Sequence, residues 1–190
     1  MPNEEYAIVL DYLAHGKSTG YKEEPLAQVI GVDFFTLLEV VPKKELKIMD
    51  RIYIGKEKRE EIEFIKRRIN YQDLTSTALA EIENVIEKLI IEKEPKFVEF
   101  FNNAGPISIK RHNLDLIPGL GKKLLQEILD EREKEGFKSF VDLEKRIHSM
   151  TNPVKLIAKR VIEELEGGEE KHYLFTRPPA QKKEFEQFRR

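Results

Sequence analysis

The sequence predicts an α+β protein: an N-terminal small β-barrel followed by an all-helical domain. Three observations carry this. As far as residue 70, apolar residues come in short β-prone runs separated by turn signals; from Thr75 they recur at helical spacing; and Pro118-Gly119-Leu120-Gly121 sets a tight turn between two helical stretches. The implied division is 1–74 for the barrel, 75–106 for a linking helical pair, 107–168 for the helical domain and 169–190 for a basic tail.

The strands are expected at 6–13, 26–30, 34–41, 52–54 and 62–70. Gly31-Val32-Asp33 suits a hairpin, and Asp50-Arg51 prepares the fourth strand. Five short strands bury their edges best by closing into a barrel. Gly16-Lys17-Ser18 after the first strand looks like the end of a phosphate-binding loop. The first glycine of that pattern would fall at Asp11, however, and no helix can start in Thr19-Gly20-Tyr21-Lys22-Glu23-Glu24-Pro25, so a polar turn is the better reading. Tyr21, Phe34, Phe35, Tyr53 and Tyr71 are candidates for stacking on bases, although a barrel this small needs most of its aromatics inside. Lys66-Arg67-Arg68 beside Tyr71 is the candidate basic surface of the barrel.

Thr75 to Ile91 reads as a helix capped by Thr75 or Ser76, with Leu79, Ile82, Ile86 and Leu89 inward. Pro95 opens a second helix, with Phe97 and Phe101 one turn apart, and Gly105-Pro106 ends it. After the Pro118–Gly121 turn comes a charged helix and a bend at Gly136-Phe137. Ser139-Phe140-Val141-Asp142 then opens a helix with Val141, Leu143 and Ile147 inward, and Asn152-Pro153 starts a last helix to Glu166, closed by Gly167-Gly168.

The turn at 118–121 carries the strongest chemical signal. A helix start leaves four N–H groups without intrahelical partners and holds a partial positive charge, so it attracts anions. Gly119 and Gly121 let a phosphate approach those N–H groups, and Lys122 and Lys123 add full charges. Lys110 and Arg111 lie shortly upstream, with His112 beside them as a phosphate contact or a helix start. Ile117, Pro118, Gly119, Leu120, Gly121 and Lys122 resemble the helix-hairpin-helix motif of DNA- and RNA-binding proteins. That resemblance implies sequence-independent gripping of a sugar-phosphate backbone by hairpin amides, with a monovalent cation at the hairpin in some members. The layout of 107–166, and Gly136-Phe137-Lys138-Ser139-Phe140-Val141-Asp142-Leu143 as a link, resemble a tandem helix-hairpin-helix domain. The second turn, Ser149 to Pro153, has no glycine, so it reads as structural, with Lys155, Lys159 and Arg160 adding charge at most. Leu46 to Ile54 resembles the entry to a strand in OB-fold and SH3-like barrels of translation proteins. A small barrel, a linking helical pair ending in Gly105-Pro106, and then Ile107 to Lys123 together make the chain, over most of its length, similar to an uncharacterised archaeal family described as RNA-binding proteins.

Composition limits the alternatives. Charged residues make up 36% of the 190, against about a quarter in an average globular protein, a Lys- and Glu-rich balance that suits a thermophile. With no Cys, disulfides, thiolate zinc sites and cysteine nucleophiles are excluded. The four histidines show no metal-ligand spacing. The acidic start and the lack of any run of eighteen apolar residues point to a cytoplasmic protein without membrane contact. Net charge is −2, yet 105–123 holds four Lys/Arg against one Asp and 171–190 holds six against two Glu, and binding depends on the local field. The tail can therefore join a nucleic acid or pack back on the barrel through Tyr173, Leu174 and Phe175.

The reading is a non-catalytic nucleic-acid-binding protein, RNA favoured over DNA for the barrel resemblance, with no cofactor beyond that cation. Two other classes stay open. Base-excision glycosylases carry a catalytic Lys just past the hairpin and an Asp about twenty residues later, positions that Lys123 and Asp142 nearly fill. The third class is a protein–protein adaptor.

Overall fold

A computed structural model describes residues 4–16, 24–167 and 172–178. It is a mixed α+β structure that divides into two compact units: the described residues of Met1–Glu81 with Glu164–Arg190, and those of Ile82–Glu163.

The first unit is a curled five-stranded antiparallel sheet. Its strands are β1 (Tyr6–Leu13), β2 (Leu26–Gly31), β3 (Leu37–Pro42), β4 (Arg51–Tyr53) and β5 (Ile62–Arg68), in the order β4-β1-β2-β3-β5. The fourth strand returns beside the first, which is Greek-key connectivity, and the fifth lies beyond the third. Register shifts leave Leu10 of β1 and Lys66 and Glu63 of β5 as the extra residues of bulges, which raise local twist and curl the sheet. β4 and β5 remain edges, so the expected closed barrel is a half-barrel. Ala7, Val9, Ala27, Val29, Val40, Leu46, Ile52 and Ile62 form its core.

All five strands fall where the sequence places them, but β3 starts at Leu37 and not Phe34. The cause is Glu4, which the sequence shows only as part of an acidic start. Its buried carboxylate accepts the backbone N–H groups of Asp33 (2.8 Å), Phe34 (3.0 Å) and Thr36 (3.1 Å), and this folds 33–36 into a turn with Phe35 at φ 54°. Residues 172–178 also belong to this unit. The buried carboxylate of Glu164 accepts from the N–H groups of Leu174 (2.7 Å), Phe175 (3.1 Å) and Thr176 (2.8 Å) and from the Thr176 hydroxyl (3.0 Å). Phe175 is buried there, and the Arg177 guanidinium stacks 3.8 Å over Phe34. The packing alternative for the tail thus holds for this segment; Lys182 to Arg190 lie outside the described residues, as do Lys17 to Tyr21.

α1 (Ser76–Glu92) passes from one unit into the other. Thr75 caps it: its hydroxyl accepts from Ala78 N–H (3.1 Å) and donates to Asp11 (2.6 Å). The inward stripe is Ala78, Ile82, Val85, Ile86, Leu89 and Ile90. Leu79, expected inward, is 41% exposed, because the small Ala78 occupies the packed position one residue earlier.

The second unit continues with α2 (Glu94–Asn103), where Pro95 sits in the first turn and Phe97 and Phe101 are buried. A short ribbon follows, β6 (Pro106–Ser108) and β7 (Arg111–His112), which the sequence reading did not foresee. Then come a 3-10 helix over Asn113–Leu116, α3 (Lys122–Lys134), α4 (Phe140–Arg146) and α5 (Pro153–Glu166). Ser139 caps α4, its hydroxyl accepting from Asp142 N–H. Leu143 and Ile147 are buried as expected, but Val141 is 57% exposed. Phe140 takes the buried position in its place, since the stripe of this short helix runs 140, 143, 147.

Candidate nucleic-acid interface

His112 is the residue that aims the hairpin. Its backbone N–H donates to Asp115 Oδ2 (2.7 Å) and its Nδ1 accepts from Leu114 N–H (3.1 Å), a reciprocal cap that starts the 3-10 helix. An accepting Nδ1 must be unprotonated. Burial pushes the His112 pKa below its usual value, the nearby Arg132 lowers it further, and Asp115 opposes both. This is the helix-start role, and it leaves that face of the ring engaged inside the protein.

The 3-10 helix runs into the turn, where Leu120 N–H closes on Ile117 O (3.1 Å). Ile117, Leu120 and Leu124 are buried, so apolar anchors on both sides pin the hairpin to its unit. Gly119 has φ 88°, a left-handed conformation, and a Cβ there would stand 3.1 Å from Leu156 of α5. Gly121 differs. It caps α3 at φ −70°, Leu125 N–H bonds to its carbonyl (2.9 Å), and a Cβ on it would meet nothing within 4 Å.

Among the described residues no acceptor meets the backbone N–H groups of Gly119, Gly121, Lys122, Lys123 or Leu124. All but Leu124 belong to exposed residues. They stand at the positive end of a helix of 13 residues, whose dipole adds to their partial charges. The side chains of Lys122 and Lys123 are exposed and make no ion pair within the described residues, and the same is true of Lys110 and Arg111 on the ribbon. Ile109, between that pair and β6, is fully exposed. Pro118 is half-buried at the first position of the turn, where its fixed φ suits the bend.

The remaining candidates are placed otherwise. Lys66 pairs with Glu24 (3.0 Å), the Arg67 Nε with the buried Glu39 (2.7 Å), and Arg68 Nη2 donates to Arg177 O (2.9 Å). The Glu39 carboxylate holds the Arg67 pKa above its usual value, whereas burial and Arg177 lower that of Arg68. These three cations are thus committed within the sheet unit, while the hairpin set lies in the other unit. Asp142 accepts from Lys138 N–H (3.0 Å) and lies 3.5 Å from Arg146, occupied as a helix-cap residue. Of the second-turn charges, Lys155 and Lys159 are exposed, but Arg160 is buried and 3.5 Å from Glu163. Asn152 supplies there the positive φ (51°) that a glycine would, and its side chain accepts from Lys155 N–H.

Of the aromatic candidates, Phe35 is core and Phe34 is covered by Arg177. Tyr53 makes an edge-to-face pair with Tyr6 (5.4 Å), and the Arg51 guanidinium lies 5.4 Å from the Tyr6 ring. Tyr6, 42% exposed, is not among the sequence candidates, and Arg51 figures there only as a strand start. They meet only through the β1–β4 register, which pairs Tyr6 with Tyr53 and Ile8 with Arg51 and leaves no sequence motif. Among the described residues no group of three or more His, Asp or Glu could hold a metal ion, and no helix is long and apolar enough to cross a membrane.

Comparison with known proteins gives the chain its relatives. It is 41% identical over 177 residues to an uncharacterised protein of Methanocaldococcus jannaschii, covering 92% of this chain and 80% of that one. A crystal structure of an Archaeoglobus fulgidus protein, described as a DUF655 family model, superposes with a TM-score of 0.85 at 43% identity, covering 92% of this chain and all of the other. The family model for DUF655, a protein family of unknown function, matches residues 3–177, and the chain belongs to that family.

Proposed function

We propose that this protein is a non-catalytic nucleic-acid binder that grips a sugar-phosphate backbone, without sequence specificity, through the hairpin at Pro118–Gly121. The observation that carries the reading is the set of exposed, unpartnered N–H groups at Gly119, Gly121, Lys122 and Lys123, with two lysine side chains beside them that make no ion pair. A phosphate supplies acceptors in the number and charge that such a set lacks. The turn and its flanking helices are read as the first hairpin of a tandem helix-hairpin-helix domain, and the Asn152 turn as its structural partner. RNA is the favoured ligand because the other unit is a Greek-key half-barrel, which we read as OB-like, a kind of platform used for single strands. Lys110 and Arg111 extend the grip. A glycosylase reading has no comparable support, since the Asp142 carboxylate is already engaged by Lys138 N–H and Arg146.

Gly121→Ala tests the reading at its centre. The backbone there suits alanine and the space is open, so the fold is retained, at a cost of about 1 kcal/mol for exchanging Gly for Ala at a helix cap. The new methyl group stands among the N–H groups that would hold phosphate. Fluorescence anisotropy with a labelled single-stranded RNA should show affinity at least about tenfold weaker than wild type, the scale of one lost charge-assisted contact. Equal affinity of variant and wild type would remove the hairpin from the mechanism.

A further inference from the structure

The half-barrel is open between its edge strands, and the opening holds a cavity of about 200 Å³. Its apolar wall is Leu38 of β3, Ile54 just after β4 and Ile65 of β5, residues that bracket the seam where closure would have run. Three cations line the same space: Lys56, Arg59 and Arg177. The Lys56 ammonium has no ion-pair partner among the described residues, and Arg59 uses only Nε internally, donating to Gly55 O (2.8 Å). The single carboxylate present is that of Glu4, which already accepts three backbone N–H groups.

A second observation points to a ligand independently of charge. Thr36 lines the cavity, is only 8% exposed, and its hydroxyl has no hydrogen-bond partner, the one buried side-chain polar atom among the described residues in that state. Buried polar groups are almost always satisfied, and an exception marks a place where something else completes the set. The three cations and the apolar wall suit a small anion that also carries an apolar part. Taking about 30 Å³ per water, the cavity holds roughly seven waters, far too few for a base pair or a helix and enough for the phosphate-bearing portion of one nucleotide.

We propose that this cavity binds a single nucleoside phosphate, its phosphate held by Lys56, Arg59 and Arg177, its apolar body lying on Leu38, Ile54 and Ile65, and the Thr36 hydroxyl bonding to it. The site lies in the sheet unit and does not rest on the hairpin reading. The nucleotide can be free or a residue of a strand, which the same chemistry would recognise.

Titration of the full chain with UMP and AMP, followed by calorimetry and by thermal shift, tests this. UMP or AMP should bind and raise the melting temperature, while inorganic phosphate and uridine alone bind at least about tenfold more weakly, each lacking one half of the contacts. Thr36→Val keeps side-chain volume and β-preference while removing the orphaned hydroxyl, so the fold is held. It and Lys56→Gln should each weaken nucleotide binding about tenfold, the loss expected for one hydrogen bond to a charged group. Gly121→Ala should leave UMP binding intact, which separates this site from the hairpin. Competition by a short oligouridylate would identify the occupant as a strand residue, and lack of competition as a free nucleotide; both retain the site. The proposal is overturned if neither nucleotide binds, if phosphate alone binds as tightly, or if both variants bind as wild type.

Discussion

Two glycines two residues apart do different work in this chain. Gly119 holds φ 88° against Leu156 and is needed for the turn itself, whereas Gly121 has an ordinary backbone and open surroundings. The sequence shows both as turn glycines, because left-handed backbone and close approach are properties of the folded path and not of composition. His112 was ambiguous for a related reason: phosphate contact and helix capping call for the same residue, and only the Nδ1 contact to Leu114 N–H separates them. That contact makes a pH prediction. Burial and Arg132 depress the folded His112 pKa below its unfolded value of about 6.5, so the neutral form is the one folding favours. Stability from this group is therefore complete above about pH 6.5 and declines as pH falls from there through the folded pKa. Urea midpoints taken at pH about 7.5 and about 5 should fall for wild type by more than for His112→Asn, which keeps a capping side chain without a titrating one. Parallel declines in the two proteins would refute the assignment.

At the scale of elements, periodicity located β1 to β5 and all five α-helices, and what it missed has local causes. The β6–β7 ribbon is too short for a pattern to form. Leu79 and Val141 were placed on the wrong face because a neighbouring residue, Ala78 or Phe140, satisfied the packing instead. The basic run of β5 looks like a binding surface in sequence, but its charges answer Glu24, Glu39 and the Arg177 carbonyl, partners 42, 28 and 109 residues distant in sequence from the residues they meet. The largest surprise is a pair of glutamates. Glu4 and Glu164 each bury a carboxylate among three backbone N–H groups, one shaping the turn before β3 and the other holding 172–178 in place. Nothing in a Glu within a charged helix announces that duty. Glu164→Ala should free the 174–176 segment, since its N–H groups lose a shared acceptor and would otherwise stay buried without one. The expected cost is about 2–4 kcal/mol, capped by the free energy of docking the segment. Limited chymotrypsin digestion should then cut after Phe175, which is buried while the segment is docked, much faster than in wild type while the sheet unit stays folded. An unchanged cleavage rate would show that the segment is held by its apolar contacts alone.

For the whole molecule, a net charge of −2 ought to repel a polyanion, so the hairpin reading requires that position matter more than total charge. α3 offers an internal comparison. Lys122 and Lys123 begin it, beside N–H groups that lack acceptors; Lys134 ends it, paired with Glu131, and Lys138 beyond it pairs with Glu135. Twelve residues of helix separate Lys122 from Lys134, about 18 Å at 1.5 Å per residue, or about two Debye lengths at physiological salt. A phosphate at the hairpin therefore feels the first pair and is screened from the second, and the helix dipole sharpens the contrast because its C-terminal end is negative. Lys122→Gln with Lys123→Gln and Lys134→Gln with Lys138→Gln change the net charge by the same amount, and both exposed pairs contribute little to folding. The first double variant should lose affinity for single-stranded RNA and flatten the dependence of log K on log salt by about 1.4, from two phosphate contacts at about 0.7 each. The second should bind with the wild-type salt slope. Equal losses in the two variants would mean that RNA responds to the overall charge of the protein, and the localised grip at the hairpin would have to be abandoned.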